Sequence, residues 1–216
     1  MDIQKIAHDL NQLEIQIVEI LSAHDWQHFK LYFFIRERFL IGDFDDKFKR
    51  VFCSFYVMNG ARGLKDLQKE KFFQLLTSRE NRLENILREL YAISGYGNMR
   101  KLFLSFGTKL LHTIGETLPI YDMNIASILG LPPQTQIGSL EEKITNRITI
   151  YKKLQEDSKN LLEDTKIKDC LKHIRKELIN KAGRENFSWQ DELISEEKLL
   201  DSVLWALYTV RKLKTK

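Results

Sequence analysis

"SFGTKLLHTIGETLPIYDMNIASILGLPP", residues 105–133, alternates apolar runs with turn formers and holds all three prolines of the chain. Pro119 has no backbone donor and a fixed φ, so the apolar-periodic segment before it must end there. Asp122 then precedes Ile125, Ile128 and Leu129, whose spacing predicts a new helix. An aspartate at that point caps exposed amides and is favoured by the helix dipole. Capping needs no function. The other reading is a carboxylate on a sharp turn, facing a cleft. Lys109 carries the same ambiguity. A lysine among apolar neighbours either snorkels its ammonium to water or, if desolvated, becomes a nucleophile.

Working outward, apolar residues recur at spacings of three and four almost everywhere. Ile6, Leu10, Leu13, Ile17, Ile20 and Leu21 make one helical stripe, and Phe48, Phe52, Phe55 and Tyr56 a second. Leu64, Leu67, Phe72, Leu75 and Leu76 predict a third helix; Leu83, Ile86, Leu87 and Leu90 predict a fourth. "NGARG" (59–63) and "ISGYGN" (93–98) supply turn chemistry between them. The helix before Pro119 is expected over about 99–114, with Gly115 as its left-handed cap. Beyond Pro133, Ile144, Ile148, Tyr151 and Leu154 define an amphipathic helix expected to end near Lys159 or Asn160. Ile167, Leu171, Ile174 and Leu178 define another, ending at Gly183. "RENFSWQDELI" (184–194) leads into a last helix with Leu199, Leu200, Val203, Leu204 and Leu207, closed by the basic "RKLKTK". There is no alternating strand, repeat or low-complexity linker. An all-α fold is expected, as one domain over 1–216 with a soft boundary near 132–138.

The chain's 34 basic and 30 acidic side chains leave a net charge of +4. That permits a polyanion partner without requiring one. Cys53 and Cys170 stand far apart in no ligand spacing, which suits a reduced cytoplasm. No apolar run approaches the roughly 20 residues of a membrane span, and no export signal opens the chain. His24 and His28 lie four apart in "HDWQH", on one face if that segment is a continuous helix. They lack a third ligand, so no metal and no cofactor is expected. Lys143, Arg147, Lys152, Lys153, Lys172, Arg175, Lys176 and Lys181 could face phosphates, but interleaved acids give them the pattern of a solvated face. Most aromatics recur at core spacing, while Tyr96 and Tyr121 sit beside turn residues and are expected to be exposed.

The order "FGTK", apolar helix, "PIYDMNI" and "LGL" resembles the helix-hairpin-helix DNA glycosylase superfamily, in its 8-oxoguanine glycosylase-like branch. "TKLLH" (108–112) and "LPIYD" (118–122) are most similar to a divergent bacterial set with this fold; "FYVMNGARG" (55–63) and "LLDSVLWAL" (199–207) match its flanking helices more loosely. The resemblance implies a glycosylase-like helical bundle, with its core mainly over 44–131 plus 195–213. It implies DNA as partner and excision of a damaged base as the activity. Asp122 would take the position of the family's catalytic aspartate, and Lys109 that of the lysine forming a Schiff base with the sugar. Gly107, Thr108, His112, Tyr121 and Asn124 would lie at the nucleic-acid side of the site. Two departures accompany the match. Only Gly107 remains of the hairpin's two glycines, and the Lys109-to-Asp122 interval is short by about six residues, or about 9 Å of helix. The alternative function is a catalytically silent helical protein that binds nucleic acid or a protein partner.

Overall fold

The computed structural model describes residues 1–60 and 63–214. Ala61 and Arg62 of "NGARG", and Thr215 and Lys216 of the basic tail, lie outside them. Among the described residues the protein is all-helical, with ten α-helices and no strand, and no helix is long and apolar enough to cross a membrane.

The first stripe spans α1 (Ile3–Gln12) and the start of α2 (Glu14–Leu40), which meet at a break at Leu13. Inside α2 a second break is sharper. His24, Asp25 and Trp26 all take positive φ, between 52° and 60°. Each non-glycine residue so placed costs roughly 1 kcal/mol, offset here by packing. Trp26 stacks on Phe187 at 4.8 Å and donates from its indole nitrogen to Glu185 at 2.8 Å. This break corrects the expectation for "HDWQH": His24 sits exposed in the left-handed turn and does not share a helix face with His28.

The second stripe lies on α3 (Asp46–Phe55), capped by Asp45. In α4 (Asp66–Thr77), Leu64 precedes the helix but is fully buried, whereas Leu67 faces solvent at 66% exposure and is not part of the apolar stripe. α5 (Leu83–Ala92) buries all four of its predicted residues. α6 (Leu104–Ile114) starts five residues later than periodicity suggests, because the Gly95 amide bonds the Met99 carbonyl at 2.8 Å and closes residues 95–99 into a loop. Gly115 does end α6, but at φ −127° in extended backbone. The left-handed cap is Gly130, at φ +65°, after α7 (Met123–Leu129).

α8 (Leu140–Glu163) opens on a capping box between Ser139 and Glu142 and runs past Asn160 to bury Leu161. Asp164 closes it and also caps α9 (Thr165–Arg184) through the Ile167 amide at 3.1 Å. α10 (Glu196–Lys214) is the central spine, packed against α2, α7, α8 and α9. One hydrophobic core extends from Ile6 to Val210. Some of the mixed charges after Pro133 form ion pairs, among them Lys153–Asp157, Arg175–Glu196 and Lys181–Glu19. Arg147 is buried and donates to the Thr135 carbonyl, so it pins the 132–138 loop rather than facing solvent.

Candidate functional site

α6 and α7 are joined by a connection folded tightly back on α6. The buried Thr108 hydroxyl accepts the Tyr121 amide at 2.9 Å, and His112 Nδ1 donates to the Leu118 carbonyl at 2.7 Å. Burial pushes the His112 imidazole down to about 3, so it serves this contact as a neutral ring. The fold-back brings Asp122, at the start of α7, to the same pocket as Lys109, on α6. The short interval between them thus holds the last turn of α6, to Ile114, and a folded-back connection over 115–121.

The pocket encloses about 190 Å³. An apolar cavity of about 150 Å³ holds one benzene ring, and drug-sized ligands occupy about 300–1,000 Å³. The space is therefore sized for about one planar ring system. α3 and its C-terminal end contribute Phe55, Tyr56 and Val57, and α10 contributes Lys198, Asp201, Ser202 and Trp205. His28 comes from α2, its ring parallel to Trp205 at 6.2 Å and its Nε2 3.1 Å from the Ser202 hydroxyl. Trp205 remains 37% exposed at the edge.

Lys109 donates from Nζ to the Tyr56 carbonyl at 3.1 Å and lies over the rings of Phe106 and Tyr56, at 5.2 and 5.6 Å. Burial pushes its amine down to about 8; Asp122 and Asp201 oppose that fall, and Lys198 adds to it. About a tenth of the amine is therefore free at pH 7, where an ordinary lysine has almost none. Asp122 caps α7 by accepting the Asn124 amide at 2.7 Å, and its charge also acts on Lys109. Capping and charge are compatible in this one residue.

The residues placed by resemblance at a nucleic-acid face divide. Gly107, Thr108, His112 and Tyr121 are buried and take structural roles, which corrects that expectation and the expected exposure of Tyr121. Gly107 sits inside α6, not in a hairpin turn, where an added Cβ would come within 3.0 Å of Leu83 Cδ1. Asn124 is partly exposed, and so is Tyr96, at 38%.

Sequence reasoning missed Lys198, Asp201 and Ser202 and took Trp205 for core. One signal was available. Lys198, Asp201 and Trp205 recur at helical spacing on a helix whose other residues from Leu199 to Leu207 are nearly all apolar. Charges on the buried face of such a helix mark a site that packing alone does not explain. His28, read as a weak metal candidate, lines the pocket as a neutral ring, pushed down to about 3 by burial and by Lys198.

A larger groove of about 1,060 Å³ lies between α3 and α4 and shares no lining residue with this pocket. Two of its cations, Lys49 and Lys69, are already paired with Asp46 and Asp66. The smaller pocket, unlike this groove, gathers a depressed amine, two carboxylates, an imidazole and an aromatic edge. Among the described residues no group of His, Cys, Asp and Glu side chains could hold a metal ion. No protein-family model, curated protein or solved structure matches this chain.

Proposed function

We propose that the protein is a base-excision DNA glycosylase with lyase capacity, acting on a damaged base through Lys109 and Asp122. Loss of the base breaks its bond to C1′, and the bonding pair leaves with the base. The positive charge left on the sugar is stabilised by the Asp122 carboxylate. The Lys109 nitrogen then bonds to C1′. One amine proton goes to the departed base and the other to O4′ as the C1′–O4′ bond breaks and the sugar ring opens, leaving a Schiff base. A damaged or mispaired base leaves the stack at least cost, a few kcal/mol, and the ring-sized pocket suits one flipped base. The observation that carries this proposal is the Lys109 amine, lowered to about 8 in a pocket shared with Asp122.

Borohydride trapping tests it. Duplex DNA with an abasic or oxidised site should give a covalent adduct with the wild-type protein and none with Lys109→Gln. The alternative, a catalytically silent scaffold that binds nucleic acid or a protein partner, is supported by the burial of Gly107 and Thr108, which keeps this segment from gripping phosphates as a hairpin. Such a scaffold would give no adduct and would keep its binding in Asp122→Asn.

A further inference from the structure

Lys198 and Asp201 lie one helical turn apart on α10. Their side chains meet at 2.6 Å with only 2% and 12% of their surfaces exposed. Lys198 also lies over the rings of Tyr32 and Phe55, at 5.1 and 5.6 Å. Removing two charges from water costs several kcal/mol per ion before their attraction repays it. Among the described residues no other ion pair has both side chains so buried; Arg36 with Glu116 leaves the carboxylate 41% exposed. The pair borders the same pocket as Lys109 and Asp122.

We propose that Lys198 and Asp201 are positioning residues of this site, a fixed ion pair in which Lys198 cancels Asp201, so that Asp122 alone is left to hold the Lys109 amine in its charged form. This rests on Lys109 being the nucleophile. A lysine flanked by two unbalanced carboxylates would be held as an ammonium, which has no lone pair to offer. A second buried cation cancels one of those carboxylates. The other groups around Lys109 do not change this balance. Tyr56 on α3 offers its carbonyl, and its phenol is raised well above the ordinary range by burial. Tyr32 on α2 is raised likewise, His28 is neutral, and Arg36 is neutralised by Glu116 at 2.7 Å. Lys109 accordingly responds to Lys198 in one direction and to Asp201 and Asp122 in the other.

The signs of two substitutions test this without DNA. Lys109 is reductively methylated with formaldehyde and cyanoborohydride across a pH series, and the Lys109 peptide is quantified by mass spectrometry. Lys198→Met leaves Asp201 unbalanced and should raise the half-modification pH by about one pH unit. Asp201→Asn leaves Lys198 unbalanced and should lower it by a similar amount. The double variant should return to near the wild-type midpoint. Circular dichroism verifies that each variant is folded; if Lys198→Met does not fold, the near-isosteric Asp201→Asn still decides by its direction. A purely structural pair would loosen the pocket and admit water, raising the midpoint in both variants; that result, or no movement in either, overturns the proposal. Wild-type Lys109 that resists methylation at every pH also overturns it. Failure to trap DNA with the opposite shifts intact would remove the DNA substrate and leave this inference standing.

Discussion

Lys109→Met should make the protein more stable at neutral pH and leave it nearly unchanged in alkali. Burial takes the Lys109 amine from the ordinary 10.5 down to about 8. Between those values the unfolded chain holds a proton that the folded chain has released, so stability rises with pH through this window and is lowest below it. In full the effect amounts to about 3 kcal/mol, of which about 2.5 kcal/mol develops between pH 7 and pH 10. Methionine keeps the stem's packing and removes the proton. The lost bond to the Tyr56 carbonyl subtracts about 1 kcal/mol at either pH. The variant should therefore exceed wild type by about 2 kcal/mol at pH 7 and lie close to it at pH 10. Urea unfolding of both proteins at the two pH values measures the difference, and groups common to both cancel. An equal loss of stability at both pH values would show a hydrated ammonium, and the nucleophile would have no physical basis.

Other variants separate neighbouring contributions. Asp122→Ala removes the cap of α7 and should cost about 1 kcal/mol in thermal or urea unfolding. Asp122→Asn keeps an efficient cap but no charge, so it should hold its stability and lose DNA trapping. Gly107→Val drives new atoms into Leu83 and Ile86, and should destabilise by about 1–3 kcal/mol in a urea melt despite valine's better helix propensity. Burial raises Glu197 to about 7, so the folded chain retains a proton that the unfolded chain gives up, and stability falls as pH rises from about 4.5 to about 7. Glu197→Gln should therefore match wild type near pH 4 and exceed it by about 2–3 kcal/mol at pH 8, read by chemical denaturation at each pH.

Most of the fold could be read from periodicity, because ten helices packed on one core leave a strong three-and-four pattern. What escaped was set by tertiary contacts. The left-handed break at His24–Trp26 has no glycine or proline to announce it, and it persists because Trp26 docks on Phe187, far away in the chain. The start of α6 was obscured by the loop bond from Gly95 to Met99. Asp122 was legible as a cap, since capping depends on neighbours in sequence. Its proximity to Lys109 depends on the Thr108 and His112 contacts that fold the connection back, and no spacing rule encodes those. Lys198 and Asp201 went unseen because their site forms only where α10 crosses α2 and α7.

The central claim concerns the protonation of one side chain, and carbon-13 NMR of lysine Cε reads it directly. With Lys109→Met used to assign its resonance, the Lys109 signal should titrate with a midpoint near 8. A midpoint at the ordinary 10.5, alongside the surface lysines, would contradict the account.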